Sequence, residues 1–178
     1  MVRSPSCTRQ RIQEVARDLF LQQGVQRTSL QDIADKLGIT KPALYYHFAS
    51  REDLVRSILV PLIDEGEQFV ADQESRGDTD PRTLLEGYFD FHYRHREDLV
   101  LVLAELTMLA DLGLIDKVLA WRDRLGKLVF GPRPTLAQST RAVVAFAGLQ
   151  DCCLQFPDTP YKDLRAKSVE AARAALGK

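Results

Sequence analysis

At 178 residues, 45% hydrophobic and 28% charged, the chain is long enough for one full core, or a small module joined to a larger one, and reads as a soluble globular protein. Its net charge of -1 argues, as an average, against a nucleic-acid partner, but residues 1–51 carry eight Lys and Arg against four acids, which makes that part +4 and leaves -5 for the rest. No stretch approaches the roughly 18 apolar residues of a membrane span, the start MVRSPSCTRQR has no apolar leader segment, and Cys7, Cys152 and Cys153 make neither a disulfide framework nor a zinc knuckle, so a cytoplasmic protein with three reduced thiols is expected, Cys152 and Cys153 packed inside.

Helical rather than strand periodicity runs throughout, and the expected fold is all-α, about nine helices with no internal repeat. In the first segment Ile12, Val15, Ala16, Leu19 and Phe20 form one apolar stripe, with Arg9, Arg11 and Arg17 on the other face and Gly24 placed to end it as a left-handed cap. Ser29-x-x-Asp32 has capping-box spacing and opens a short helix through Ile33, Ala34 and Leu37 that stops at Gly38. Thr40 is a natural N-cap for the next helix. Pro42 is tolerated in its first turn, where a missing N–H would have no partner, and the helix continues through Ala43, Leu44, Tyr45, Tyr46 and His47.

Ser50-x-x-Asp53 repeats the capping signature ahead of a long stripe made by Leu54, Val55, Ile58, Leu59, Leu62, Ile63, Phe69 and Val70. Pro61 inside it removes a backbone hydrogen bond, which predicts either a bend at 59–62 or two successive helices. After a loop at 77–80, Asp80-Pro81 starts a helix rich in aromatics (Tyr88, Phe89, Phe91, Tyr93), and Glu97-Asp98 opens another that is predicted to reach Met108. Gly113 breaks the chain again. Helices follow over 115–130, about 135–156 and, beyond Pro157 and Pro160, an Ala-rich stretch to Leu176.

Two short helices joined by a tight glycine turn, the second starting with small or basic residues and continuing with aromatics and His, have the form of a helix-turn-helix. Leu44 and Ile33 would seat the pair on the first helix. Thr40, Lys41, Pro42 and Ala43 would then enter a major groove, Lys41 donating to guanine O6 or N7 and Ala43 touching a thymine methyl, while Tyr45, Tyr46 and His47 reach phosphate oxygens. Outside such a motif the tyrosines would be surface packing and His47 a cation favoured by the helix dipole.

The run SLQDIADKLGITKPALYYHFASREDLV resembles the DNA-binding signature of the TetR family, over roughly residues 8–60. The resemblance implies a helix-turn-helix DNA-binding domain at 1–50 and a larger helical ligand-binding and dimerisation domain at 51–178. Base reading falls by position on Gln31, Lys41, Pro42 and Ala43, and phosphate contact on Ser29, Thr40, Tyr45, Tyr46, His47 and Arg51. Pro42, where many relatives carry Gly, Ala or Ser, makes that base contact apolar at most. The implied protein is a homodimeric transcriptional regulator, a repressor released from palindromic double-stranded operator DNA by an unknown small-molecule effector. Its half-sites would lie about 34 to 36 Å apart, and the long helix after Ser50 would carry the signal with Pro61 as its yielding point.

In the larger part, residues 142–149 are apolar on every side of a helix, so something must cover both faces, either a second copy or the chain itself. The family pairs its last two helices with their copies, which points to Val143, Phe146, Ala147, Leu164, Ala171, Ala172 and Ala175. Its ligand pocket lies among the middle helices, where Tyr88, His92, Trp121, Phe146 and Gln150 are candidates, with aromatic core packing as the alternative for each. His92-x-x-His95 puts two imidazoles on one face, but no further ligands accompany them, and neither metal nor cofactor is expected. A thiol enzyme, with Cys152 or Cys153 as nucleophile and His92 or His95 as base, lacks any activating motif, so no enzyme is expected. The other alternative is a helical adaptor whose helix-turn-helix binds protein, and salt dependence separates it from a DNA binder.

Overall fold

A computed structural model describes residues 5–77 and 80–178, with side chains from Thr8 onward. Cys7 lies outside the described side chains. Ten α-helices follow one another: α1 (Pro5–Gln23), α2 (Leu30–Leu37), α3 (Lys41–His47), α4 (Arg51–Arg76), α5 (Pro81–Arg94), α6 (Arg96–Ala104), α7 (Leu106–Asp111), α8 (Leu114–Phe130), α9 (Leu136–Gln155) and α10 (Tyr161–Leu176). A single 3-10 turn, Val25–Arg27, separates α1 from α2, and there is no strand among the described residues. No described helix is long and apolar enough to cross a membrane.

Each predicted N-cap forms. Ser29 accepts from the Asp32 N–H at 3.2 Å while the Ser29 N–H donates to Asp32 Oδ2 at 2.8 Å. Thr40, Ser50 and Asp80 accept from Ala43, Asp53 and Thr83, and Thr135 with Gln138 forms a second capping box at the start of α9. Gly38 ends α2 in the left-handed conformation (φ 67°, ψ 32°). Gly24 differs from the expected left-handed cap. Its φ is 87° but its ψ is 149°, so it throws the chain sideways into the 3-10 turn instead of curling it back.

Pro61 neither splits α4 nor leaves an orphan behind. The helix runs unbroken through it, so the two-helix alternative is corrected. A proline at 61 cannot donate to the carbonyl of Ser57, four residues earlier. Gln13 of α1 takes over, its side-chain amide donating to Ser57 O at 3.1 Å and to Ser57 Oγ at 2.9 Å. The helix expected from Glu97 to Met108 is corrected the other way. It divides at Glu105 (φ -120°, ψ 35°), where the carboxylate is buried and accepts from Gln26 Nε2 at 3.1 Å, a contact of the 3-10 turn that an uninterrupted sequence pattern cannot reveal.

One apolar core runs from Ile12, Ala16 and Phe20 of α1, through Leu54, Val55, Ile58 and Leu59 of α4, to Phe146 and Leu149 of α9 and Leu176 of α10. In the larger part α9 lies between α8 and α10, α5 packs on both α9 and α10, and α4 crosses α8. That last crossing is close because residue 66 is glycine. A Cβ there would stand 2.5 Å from the Trp121 ring, so the indole lies directly on the α4 backbone. Trp121 Nε1 donates to Glu67 at 2.8 Å, and Arg124 bridges Glu67 (2.6 Å) and Glu74 (2.7 Å), bonds that hold the Glu67 carboxyl below its usual range.

Candidate nucleic-acid interface

α2 and α3 are seated by a fully buried set: Ile33 and Ala34 of α2, Leu44 of α3 and Phe48 after it, against Ile12 and Ala16. Arg9 locks the far end. Its Nη1 donates to His47 O at 2.6 Å and its guanidinium lies 4.1 Å over the Phe48 ring, so one cation of the basic face of α1 caps the C-terminus of α3. Arg17 is also committed inward, to Asp98 of α6 at 2.7 Å.

What remains outside is the first turn of α3 and its outer edge. Thr40, Lys41, Pro42 and Ala43 are exposed, Tyr45 is 45% and Tyr46 82% exposed, and His47 is half-buried. Such exposure of a tyrosine, on a helix of seven residues whose other side is sealed, leaves much of an apolar ring turned outward. Lys41 Nζ stands 5.9 Å from the centre of the Tyr45 ring, and the Tyr46 and His47 rings meet edge to face at 5.3 Å.

The flanking candidates are tied more tightly. The Ser29 hydroxyl serves the α2 cap, and Gln31 donates to Asp35 at 2.7 Å. Arg51 donates to Gln26 O at 3.2 Å and Gln26 Oε1 at 3.0 Å, stitching the start of α4 to the 3-10 turn. Pattern reading could not foresee Arg9 as a clamp rather than a free cation.

Deeper in the chain, Tyr88, His92 and Phe146 come together, with ring centres 4.1 Å (Tyr88–His92) and 5.0 Å (Tyr88–Phe146) apart, all buried. Burial pushes the His92 pKa down to about 4, so the imidazole is neutral and its Nδ1–H donates to Tyr88 O at 2.9 Å. Gln150 joins through Arg122, whose Nη2 donates to Gln150 Oε1 at 2.9 Å. Trp121 does not join them, being the residue that packs on Gly66. Sequence reading passed over Arg122, although its spacing from Val118, Leu125 and Val129 puts a charge in an apolar stripe.

His92 and His95 are turned apart, His95 Nε2 facing Glu65 at 3.0 Å. Cys153 is buried, its thiol donating to Leu149 O at 3.3 Å, and burial pushes its pKa up to about 12, while Cys152 is half-buried rather than enclosed. At neutral pH Cys153 is a protonated thiol, unsuited to attack. On α9 and α10 the outward face consists of Val143 (50% exposed), Val144 (58%), Ala147, Ala171 and Ala175. Phe146, Leu164 and Ala172 are corrected to the interior, being buried in their own chain.

Residues 12–58 match the family model described as bacterial regulatory proteins, tetR family. The HTH-type transcriptional regulator TtgR of Pseudomonas putida is 38% identical over 74 residues, which are 42% of this chain and 35% of that protein, so the chain spans about a third of this curated relative's length. Among solved structures, the ketosteroid transcriptional regulator KstR2 of Mycobacterium tuberculosis superposes with a TM-score of 0.74 at 22% identity, over 99% of this chain and 95% of that one. PfmR of Thermus thermophilus, a TetR family transcriptional regulator, gives 0.70 at 25%, over 94% and 97%. The family signature lies on the exposed first turn of α3 and its support, and the helical arrangement over nearly the whole chain is similar to that of a solved TetR family regulator.

Proposed function

We propose that this protein is a sequence-specific transcriptional regulator that acts on double-stranded DNA as a homodimer, represses, and leaves its operator when a small molecule binds. The observation that carries the reading is α3 itself: a short helix, seated by Leu44 and clamped at its far end by Arg9, that offers Lys41, Pro42, Ala43 and Tyr46 to the outside. Lys41 and Ala43 read base edges, and Tyr45, Tyr46 and His47 fix the register on phosphates. Residues 1–50 are the reading part, and 51–178 hold the effector and the partner subunit. The protein works in the cytoplasm and catalyses no reaction.

The exposed Val143, Val144 and Ala171, with half-buried Ala147 and Ala175, supply a small-residue face on which a second copy can pack closely. The two parts are joined by Arg17–Asp98 of α6 and by Gln26–Glu105 at the α6–α7 junction as well as by α4, so a shift of α4 or α6 alters the spacing of two recognition helices. Binding to promoter-derived duplexes, titrated against salt, tests the proposal. For six to ten phosphate contacts the affinity falls about 10³-fold or more between 50 and 200 mM salt, and Tyr46→Ala weakens it. Salt-independent or absent binding, with Tyr46→Ala indistinguishable from the parent, would overturn it in favour of protein recognition.

A further inference from the structure

Three arginines of the helical body are neutralised by carboxylates: Arg124 by Glu67 and Glu74, Arg165 by Asp90 at 2.7 Å and Glu86 at 3.2 Å, Arg82 by Glu86 at 2.8 Å. Arg122 is not. Its Nη2 donates to a neutral amide oxygen, and its Nε is buried without an acceptor. Its neighbour Asp123 is held by Lys127 at 2.6 Å. Among the described residues no carboxylate pairs with this guanidinium, and its neighbours Tyr88, His92 and Gln150 are neutral or aromatic. A part-buried cation with an unmade hydrogen bond costs stability that an apolar residue in the same stripe would not.

Beside it, a cleft of about 190 Å³ opens between α8 and α9, walled by Leu119, Gly126, Pro134, Ser139, Ala142 and Val143, the last at the edge of the face proposed for the second copy, with Arg122 as its one cation. Gly126 and Ala142 close its floor, a Cβ on the glycine standing only 3.2 Å from Ala142. The shape is compact and apolar with a single positive group, and Asp123 at the lining disfavours a second negative charge on an occupant. A planar guanidinium meets a carboxylate in two parallel hydrogen bonds, a pairing that a neutral amide cannot reproduce.

We infer that Arg122 is the anion-binding residue of the effector site and that the effector is a small monocarboxylic acid with a compact apolar body, on the order of benzoate in size. This rests on the reading of the chain as a ligand-released regulator, and its test is therefore made without DNA. The full chain is titrated with benzoate, phenylacetate and hexanoate, and with the matching neutral amides, by calorimetry and thermal denaturation. At least one acid binds and raises Tm, its amide binds about tenfold more weakly or worse, Arg122→Met abolishes the preference, and Arg122→Lys keeps part of it. Equal binding of acid and amide, no binding by any of the three acids, or full acid affinity in folded Arg122→Met would each overturn the inference. The acid–amide comparison on the unaltered chain decides the matter even where Arg122→Met fails to fold. Acid binding by a chain that ignores DNA would sink the regulator and leave the acid site standing. DNA binding without acid binding would do the reverse.

Discussion

The reading head and the helical body solve the same problem, satisfying polar groups around an apolar core, by different means. In α2 and α3 the caps and side-chain bonds close within a few residues: Ser29 with Asp32, Gln31 with Asp35, Thr40 with Ala43. In the body the bonds that matter join residues far apart in sequence, such as Arg124 and Glu74, Trp121 and Glu67, or Arg165 and Asp90. A module closed by local rules can keep its outer face free for DNA. A body closed by distant pairs can shift when one of them is disturbed, which is what an effector must do.

The largest test of the contrast is Phe146→Ala at the centre of the body. Removing a side chain that is fully buried should cost about 3 to 5 kcal/mol. If the head is the locally closed unit, far-UV and near-UV signals of the body should melt earlier, while amide exchange in α2 and α3 changes less. Uniform loss of protection across both parts would erase the distinction.

Next in size is pH. The folded chain holds His92 neutral with a pKa of about 4, below the 6.5 of an exposed imidazole, so between those values the unfolded state binds the extra proton. Stability is therefore complete above about pH 6.5 and is lost as pH falls towards 4, by roughly 3 kcal/mol from this group. Denaturant titrations at pH 7 and pH 4.5 check the sign. His92→Gln, which cannot titrate, should show a smaller drop than the parent, and an equal drop would assign the loss to the carboxylates instead.

Gly66→Ala should cost about 1 to 3 kcal/mol, because the new methyl and the Trp121 ring cannot occupy the same space. Displacement of the ring from Glu67 should red-shift the tryptophan emission, and an unchanged spectrum would count against the close α4–α8 crossing. Smallest is Gln13→Ala, which removes the donor that replaces the hydrogen bond lost at Pro61 and should cost about 1 kcal/mol. Made in a Pro61→Ala background, where the helix supplies its own N–H, the same change should cost less. A purely additive double-mutant cycle would show that Gln13 does not serve the proline.

These differences also mark what the sequence made legible. The helices and their caps could be read because stripe and cap are properties of neighbouring residues, and so could the exposed residues of α3. The interruption at Glu105 could not, because its partner Gln26 lies in another segment. Trp121 was placed with the pocket candidates because an aromatic with a polar tip suits a pocket, and only the glycine opposite shows its packing role. Phe146 and Leu164 were put at a subunit face because periodicity shows that a side is apolar and does not say which chain covers it. Arg122 was passed over for a like reason: the charge stood in the apolar stripe, but its missing partner becomes apparent only when α5, α8 and α9 are assembled.

The most direct test of the central claim is selection of binding sites from random duplexes by the parent chain and by Lys41→Ala in parallel. The expected result is a two-fold symmetric site with half-sites about 34 to 36 Å apart, or at a related spacing. Lys41→Ala should lose preference at one base of each half-site, about 1 to 3 kcal/mol, while the rest of the site is kept. Enrichment of no sequence by the folded parent, or identical sites selected by both, would contradict the reading of α3 as the element that reads bases.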